Sequence, residues 1–320
     1  MKKIRTALET ASVRLAVWLL PKIPHSVVYT ISQVLGFIAY VVDVRGRETA
    51  WENLRAAFRQ EGINEGQVRR IALGSYQTFT LTFLDLFWSA RLTKENFARY
   101  FRIRFDDTSV EELARQKGMI WVTPHFSSFE MVSLLWGFRG FPMVVVAQDF
   151  KNPALTEIFS KLREGSGNKI ISQDGAMMRL VKTLARKGYA GLLTDLNIKP
   201  GKLAVALDCF GLQTCVTAVH TQLAMRLKVP IVGGVCLAHP DGLYDAHIHR
   251  ALRPEDYKSP KEMAQALWDE FAKDIRKTPE AWLWMYKHWR YLPGKDIDRD
   301  PRYPAYANAL RAFRELMAEE

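Results

Sequence analysis

The sequence has few cysteines and lacks the short motifs of several common enzyme classes. Its three cysteines, Cys209, Cys215 and Cys236, have no Cys-x-x-Cys or zinc-ligand spacing, and their odd number argues against a disulfide framework. Gly165-Ser166-Gly167 lacks the lysine and the hydroxyl residue of a phosphate-binding loop. Neither a Gly-x-Ser-x-Gly elbow nor a dinucleotide-binding fingerprint is present. These absences indicate a reducing compartment and argue against serine hydrolases, P-loop enzymes and dinucleotide enzymes.

Low-complexity segments and internal repeats are also absent, which is typical of a folded globular chain. Hydrophobic residues make up 48% of the 320 positions, which is enough to bury a full core. The formal net charge of +11 at pH 7 favours an anionic partner. Nucleic acid, an anionic membrane surface and an acidic protein or phosphorylated ligand all satisfy this condition. The sequence has no basic-aromatic stripe and no known nucleic-acid-binding motif, so we expect no nucleic acid partner.

The N-terminal region combines basic residues with two apolar segments. Residues 13–20 are apolar apart from Arg14, and residues 26–42 contain no charged side chain. The second segment is at the lower limit for a transmembrane helix, and a pair of buried or interfacial helices is equally compatible. Two apolar segments separated by prolines do not fit a secretory signal peptide. We predict membrane-associating helices in residues 1–45, beside an anionic lipid surface, and the main domain in residues 46–320.

The most informative stretch, residues 118–136, has the pattern of a strand, a sharp turn and a helix. An apolar run leads through Pro124 to His125, and Glu130 lies in the first turn of the predicted helix. Five positions along one helix are about 140° apart, so these side chains can meet only if His125 precedes the helix. Such a histidine can act as a general base, and a carboxylate beside it would stabilise the imidazolium. The structural alternative is a capping box of Ser127 and Glu130, which only stabilises the helix start.

Beyond residue 118, short apolar segments alternate with helical patterns. Strands are predicted at 144–147, 169–171, 191–194, 231–237 and 243–249, and helices at 154–163, 176–187, 219–227 and 261–277, with two more helices near the C terminus. This order predicts an α/β fold in which helices flank a mixed, mostly parallel sheet. His125 and Asp195 both follow predicted strands, and ligands in such sheets bind beyond the carboxyl ends of strands. The two side chains could therefore share one cleft.

The segment His125-Phe-Ser-Ser-Phe-Glu130, after an apolar strand, resembles the HX4D/E motif of the lysophospholipid acyltransferase superfamily. Further blocks resemble, in the same order, the bacterial late acyltransferases of lipid A biosynthesis: Lys151-Asn152-Pro153 with Arg163, Thr194-Asp195-Leu196-Asn197 with Gly201 and Phe210-Gly211, and Pro279-Glu280-Ala281-Trp282-Leu283-Trp284 with Lys287-His288-Trp289-Arg290. The resemblance covers nearly the whole chain. Leu196, Cys209 and residues 285–288 differ from the family pattern, and these differences concern the lipid acceptor.

The resemblance implies an O-acyltransferase that moves a fatty acyl chain from an acyl carrier protein thioester to a hydroxyl of a lipid A precursor. His125 would take the hydroxyl proton, Glu130 would orient His125, and Arg163 or backbone N–H groups would stabilise the oxyanion. Asp195 and Asn197 would order the site. The other candidate substrate contacts suit phosphates and sugars: Lys151, Asn152, Trp284, Lys287 and Arg290. No metal or redox cofactor is required, and the enzyme would act at the cytoplasmic face of the cell inner membrane.

Other interpretations stay open on the sequence alone. The acceptor could be another lipid, such as a lysophospholipid or a phosphatidylinositol mannoside. The chain could instead be a non-enzymatic basic module for membranes or nucleic acid, in which the His-x4-Glu motif is only a capped helix. His247 and His249 share a strand face and, with His239, form a weaker metal-site hypothesis that lacks an acidic partner. A stripe of large side chains at helical spacing is interpreted as packing: Trp282, Met285 and Trp289.

Overall fold

The structure, a computed structural model, describes residues 2–292, 300–309, 313, 316 and 317. Within the described residues, four α-helices precede the first strand: α1 (Lys2–Leu19), α2 (His25–Val42), α3 (Val44–Ala57) and α4 (Glu65–Trp88). A 3-10 turn that contains Pro21 separates α1 from α2. Helix α4 begins with a capping box, because the Asn64 side chain accepts from the Gln67 backbone N–H and the Gln67 side chain accepts from the Asn64 backbone N–H.

Helix α2 packs one face against α4 and exposes an apolar face. A Cβ on Gly36 would overlap the backbone of Gln77, so the glycine lets the two helices approach closely. Gln77 Nε2 donates to the Gln33 carbonyl oxygen at 3.2 Å. The exposed large side chains are Val27, Val34, Leu35, Phe37, Ile38, Val41 and Val42. By length and composition alone α2 could cross a membrane, and only 22% of its 18 residues are buried.

The strands up to residue 252 lie at these positions: β1 (Phe101–Phe105), β2 (Met119–Thr123), β3 (Met143–Ala147), β4 (Lys169–Ser172), β5 (Tyr189–Leu193), β6 (Ala204–Cys209), β7 (Leu212–Thr217), β8 (Ile231–Ala238) and β9 (Tyr244–Leu252). One seven-stranded sheet has the order β1-β9-β8-β2-β5-β3-β4. Its neighbouring strands are parallel except β8 and β9, which pair antiparallel. The predicted mixed, mostly parallel sheet is confirmed.

The remaining helices flank the sheet: α5 (Val110–Lys117), α6 (Phe129–Phe138), α7 (Pro153–Glu164), α8 (Ala176–Ala185), α9 (Val219–Leu227) and α10 (Pro260–Lys277). The central strand β2 is fully buried because its side chains alternate between two hydrophobic cores. Ile120 and Val122 belong to the core that contains α8, α9 and α10, whereas Met119 and Trp121 belong to the core that contains α6 and α7. The segment after β2 therefore begins at the middle of the carboxyl edge of the sheet.

Strands β6 and β7 form a separate antiparallel hairpin that the sequence analysis did not predict. Its two-residue turn is Phe210-Gly211, with φ of 58° and 79°. Positive φ at both positions matches the twist of a tight hairpin, and Gly211 N donates to Asp208 Oδ1 at 2.8 Å. The Phe210 ring packs with Trp282 and Trp284, so this turn anchors the hairpin on the segment that follows α10.

The segment after α10 is not helical, in contrast to the prediction. Pro279–Ala281 forms one 3-10 turn, and further turns lead to the short strand β10 (Tyr291–Leu292), which pairs with β11 (Asn308–Ala309). The Trp282 and Trp284 rings lie 4.7 Å apart and are both buried. Residues two positions apart on a helix point about 200° apart, so a helix could not bring these rings together. The stripe is packing, as interpreted, but on irregular backbone. Most of the second predicted C-terminal helix lies outside the described residues.

None of the three cysteines forms a disulfide within the described part of the chain, and all are buried: Cys209, Cys215 and Cys236. Burial raises the pKa of the Cys209 and Cys236 thiols well above their ordinary value. A thiol that stays protonated is a poor nucleophile and a poor metal ligand, so neither of these two is a reactive site.

Candidate active site

The segment between β2 and α6 turns sharply and is held from two sides. Ser127 has a φ of 43°, a left-handed conformation that is uncommon for a residue with a side chain. Its backbone N–H donates to the Ala281 carbonyl oxygen at 2.7 Å, and the Ser128 N–H donates to the Cys236 carbonyl oxygen at 3.0 Å. The turn is therefore fixed between β8 and the segment after α10. We call residues 125–128 the His125 loop.

The predicted strand, turn and helix are confirmed, but the capping box is not formed. Helix α6 begins at Phe129, and Ser128, at the N-cap, makes no side-chain capping hydrogen bond. The Ser127 hydroxyl instead accepts from the Ala238 N–H at 3.4 Å, and the Ser128 hydroxyl donates to Asp85 Oδ2 at 2.8 Å. The serines hold the loop to other elements of the protein, so the purely local explanation of the motif is wrong.

His125 is paired with Asp195, which follows the neighbouring strand β5. His125 Nδ1 lies 2.7 Å from Asp195 Oδ1, and the His125 backbone N–H donates to Asp195 Oδ2 at 2.9 Å. The Trp282 indole N–H also donates to Oδ2, at 2.8 Å. Because an ionised carboxylate only accepts, Nδ1 carries the proton of the neutral ring and Nε2 has the lone pair. The expectation that His125 and Asp195 share one cleft is confirmed.

Asp195 is buried and remains ionised. Burial alone would raise the pKa of its carboxyl, but the positive charge that His125 has when protonated and the hydrogen bonds from His125 and Trp282 outweigh burial and lower the pKa to about 2. His288 stacks on Trp282 with ring centroids 3.8 Å apart, and burial lowers the pKa of His288 to about 4, so its ring is neutral. His125 is therefore the group that can gain a proton next to this carboxylate. The side chain of His125 is 14% exposed, so a substrate can reach it.

The structure differs from the prediction that Glu130 orients His125. Glu130 binds Arg163 at the end of α7 through three contacts, two from Nε at 3.1 and 3.0 Å and one from Nη2 at 2.5 Å. The left-handed Ser127 redirects the chain between the two motif residues, so His125 points to the end of β5 and Glu130 points to α7. Both partners of the ion pair are mostly buried, with side-chain exposures of 17% for Arg163 and 11% for Glu130.

Asn152 has a structural position that the sequence analysis did not foresee. Its Oδ1 accepts from the Ala154 N–H at 3.2 Å and so caps α7, and its Nδ2 donates to Thr10 Oγ1 at 3.1 Å. Asn152 thus ties α1 to α7, and its buried side chain is occupied. Its neighbour Lys151 is exposed and can still meet an anion.

The remaining predicted substrate contacts divide into buried and exposed side chains. Trp284 is fully buried and its indole N–H donates to the Pro279 carbonyl oxygen at 2.6 Å, so the expectation that it stacks on a sugar is wrong. Asn197 is also buried, and its Nδ2 donates to Thr214 Oγ1 at 3.2 Å, which fits the predicted ordering role. Lys287 is exposed and lies 5.1 Å from the Tyr306 ring centroid. Arg290 is half-buried, 5.8 Å from the Tyr286 ring.

The metal-site hypothesis is changed by the structure. His239 pairs with Asp245 at 2.8 Å instead of joining the other two histidines. His247 and His249 share Asp274, at 3.3 and 2.7 Å. Arg104 Nη2 lies 2.6 Å from His247 Nε2, and a guanidinium at that distance opposes a second cation. These contacts have the character of an ion-pair network between β1, β9 and α10.

Sequence reasoning missed two groups that contact the His125 loop or its partner. Trp282 was interpreted as packing alone, yet its indole N–H binds Asp195. Asp85 was passed over inside the apolar run of residues 78–88, although it is the single charged side chain there. A lone carboxylate in such a helix needs buried partners, and that signal could have identified it.

Comparison with known proteins identifies a family. A family model described as "Bacterial lipid A biosynthesis acyltransferase" matches residues 3–291. Among proteins with curated descriptions, none matches the chain. The crystal structure of the 1-acyl-sn-glycerophosphate (LPA) acyltransferase PlsC from Thermotoga maritima is 12% identical over 81% of this chain and 98% of that chain, with a TM-score of 0.39.

Proposed function

This chain belongs to the bacterial lipid A biosynthesis acyltransferase family, and we propose that it moves a fatty acyl chain from an acyl carrier protein thioester to a hydroxyl of a lipid A precursor. Membership of this family supports lipid acyl transfer as the reaction. The acyl carrier protein as donor and the lipid A precursor as acceptor are what we propose beyond it. The observation that supports it best is His125, whose Nδ1 is bound to a buried, ionised Asp195 and whose Nε2 is left to act as a base.

In the proposed reaction, His125 Nε2 takes the proton of the acceptor hydroxyl while the hydroxyl oxygen attacks the thioester carbonyl carbon. The new ester bond forms, the carbon–sulfur bond breaks, and the imidazolium returns its proton to the leaving thiolate. Asp195 fixes the ring in the Nδ1–H tautomer and stabilises the imidazolium with its negative charge. Asp195 thus takes the role that the sequence analysis gave to Glu130.

We propose that the ion pair of Glu130 and Arg163 is a second functional part of the site, in addition to the pair of His125 and Asp195. The guanidinium of arginine has five N–H donors, more than the three contacts with Glu130 use. Glu130 would therefore hold Arg163 in one orientation while the remaining donors face the thioester oxygen or a phosphate. Backbone N–H groups remain the alternative stabilisers of the oxyanion.

Exposed basic side chains would bind the anionic partners of the reaction. Lys151 and Lys287 are exposed and Arg290 is half-buried, so each can reach phosphate groups or the acidic surface of the carrier protein. The net charge of +11 would attract both partners over a distance. Trp284 and Asn152 are excluded from this set because their side chains are buried and occupied.

The N-terminal helices would hold the enzyme at the membrane that supplies the lipid. Helix α2 exposes an apolar face, and α1 exposes Ile4, Leu8, Leu15 and Trp18. Basic residues accompany these faces, with Arg5, Arg14 and Lys22 on the first helix and the turn after it. We propose that residues 1–45 associate with the anionic cytoplasmic leaflet of the cell inner membrane, and that residues 46–320 form the acyltransferase domain.

A mass-resolved acylation assay tests the proposal. Purified protein in detergent receives a mixture of acyl carrier protein thioesters, with a Kdo-lipid A precursor and lysophospholipids competing as acceptors. We expect the mass of one acyl chain on the lipid A precursor, and no such product with His125→Ala. His239→Ala is the matched control, because His239 also pairs with an aspartate but lies outside the site.

The other possible results of this assay would either replace the acceptor or contradict the proposed function. Acylation of the lysophospholipid alone would retain the mechanism and replace the acceptor. Transfer that is equal in wild-type protein and His125→Ala, or no transfer to any acceptor, would contradict the proposed function.

A further inference from the structure

Asp85 in α4 is a completely buried carboxylate with a partner on each oxygen. Its Oδ2 accepts from the Ser128 hydroxyl at 2.8 Å, and its Oδ1 lies 2.7 Å from His25 Nε2. The Tyr244 hydroxyl contacts the same His25 nitrogen at 2.8 Å. Burial and the nearby Asp85 charge raise the pKa of the Tyr244 hydroxyl well above its ordinary value, so Tyr244 stays neutral. A buried carboxylate without such partners would be strongly unfavourable.

Helix α4 contacts the His125 loop at two consecutive residues. Asp85 binds the side chain of Ser128, and Thr82 Oγ1 donates to the Ser127 carbonyl oxygen at 2.7 Å. Ser127 is the residue with φ of 43°. A left-handed conformation is unfavourable for such a residue and persists only where its surroundings enforce it. The contacts from α4 are therefore part of what keeps the turn, and with it His125, in place.

His25 extends this network to the apolar helix α2. It is the first residue of α2, it is 5% exposed, and its ring meets Trp88 edge-on with centroids 4.9 Å apart. The far side of α2 is the exposed apolar face described above. One continuous chain of contacts thus runs from the start of α2 through Asp85 to the His125 loop.

We propose that Asp85 is a positioning residue for acyl transfer, which holds the His125 loop through Ser128 and is itself held by His25. The inference rests on the proposed role of His125 as the base. Asp85 does not touch the reacting atoms, and it acts by fixing the backbone on which His125 stands. Because His25 begins α2, the placement of the apolar helix and the placement of the base depend on the same buried carboxylate.

The size of the effect follows from the geometry that bond formation requires. A displacement of a catalytic group by about 1 Å can reduce turnover on the order of 100-fold while binding is kept. Loss of one of several contacts moves the loop less than that. We expect kcat to fall about ten-fold for Ser128→Ala and for Thr82→Val, with KM for donor and acceptor within about two-fold of wild type.

The experiment compares two threonines on the same helix. The hydroxyl oxygens of Thr80 and Thr82 both lie within hydrogen-bond distance of the carbonyl oxygen four residues earlier, at 2.8 and 3.0 Å, but only Thr82 also contacts the loop. Thr80→Val is therefore the control for Thr82→Val, and it should leave kcat unchanged. At position 25, glutamine can place an N–H donor near the site of Nε2, so His25→Gln should retain more kcat than His25→Phe.

Hydrogen exchange of the peptide that covers residues 121–131 provides a readout that needs no substrate. Ser128→Ala and Thr82→Val should exchange faster there than wild type and Thr80→Val. Wild-type kcat in these two variants, or a loss that only follows the loss of folded protein in thermal unfolding, would overturn the inference. A wild-type protein without acyl transfer would refute the proposed function instead, and faster loop exchange in the variants would then still support the positioning contact.

Discussion

The substitution Asp195→Asn tests the catalytic pair directly, because the amide is equal in size and differs in charge and donors. Asp195 Oδ2 accepts from two N–H groups, the His125 backbone and the Trp282 indole, while Oδ1 faces His125 Nδ1. An asparagine amide satisfies the two N–H donors only by placing its oxygen at the Oδ2 position. Its NH2 group then faces Nδ1, which becomes the acceptor, and the ring proton moves to Nε2. The tautomer is reversed, and Nε2 can no longer take a proton.

The expected magnitude combines two effects. The pKa of Asp195 is about 2 against an ordinary value of 3.8, in spite of burial. At about 1.36 kcal/mol per pKa unit, the surroundings favour the charged form of Asp195 by roughly 2 kcal/mol, and the neutral amide removes this charge from beside the imidazolium. Reversal of the tautomer adds to this, so we expect a total loss on the order of 10³–10⁴ in kcat.

Single-turnover acylation under saturating donor measures this loss, and ¹⁵N chemical shifts of histidine report the tautomer. Asp245→Asn is the control, since Asp245 also pairs with a histidine, His239, at 2.8 Å but lies outside the site. A folded Asp195→Asn enzyme with kcat within about three-fold of wild type would refute the role of Asp195. An unchanged Nδ1–H tautomer in that variant would refute the hydrogen-bond argument.

Three further predictions concern stability. Burial lowers the pKa of His220 to about 3 from its ordinary value of 6.5. Between these two values the unfolded chain binds a proton that the folded chain does not, so the free energy of unfolding should decrease as the pH falls. In the variant His220→Gln, the free energy of unfolding should depend less steeply on pH, by roughly 1.4 kcal/mol per pH unit between about pH 6 and 3, as measured by denaturant titrations. An unchanged pH dependence would show that His220 is charged when folded. Gly36→Ala should destabilise by about 1–3 kcal/mol because its Cβ overlaps Gln77, while Gly201→Ala, which faces open space, should have little effect in the same titration. Glu130→Ala leaves Arg163 mostly buried without its carboxylate and should cost about 3–5 kcal/mol, and the Glu130→Ala/Arg163→Ala double variant should be more stable than Glu130→Ala alone. A double variant that is less stable would contradict the pairing argument.

The sequence predicted the local elements of the site better than their contacts. Pro124 after an apolar run, followed by polar residues, was enough to predict β2, the turn and α6. The partner of His125 lies 70 residues away and becomes its neighbour only because β5 pairs with β2. Strand order is set by tertiary packing, so the sequence could place His125 and Asp195 at strand ends but could not choose Asp195 over Glu130.

The errors have similar physical origins. Ser127 and Glu130 fit a capping box because four residues carry little information, whereas the serines in the fold bind β8 and α4. Trp284 belongs to a motif block, and motif membership does not tell whether an indole faces a ligand or a core. The hairpin of β6 and β7 was missed because its only turn signal is Phe210-Gly211, and phenylalanine rarely adopts positive φ.

The three buried cysteines make the folded protein well suited to site-specific labelling. Cys209 and Cys236 have pKa values well above the ordinary value, and all three thiols are shielded from reagents in water. A maleimide dye should therefore react slowly with the native chain and fast with one cysteine introduced at an exposed position. Phe37→Cys on α2 and Met178→Cys on α8 are such positions, with 53% and 61% exposure. Quenching of the two dyes by lipid-borne quenchers would then measure the depth of each surface in a bilayer, with every native residue except the labelled one retained.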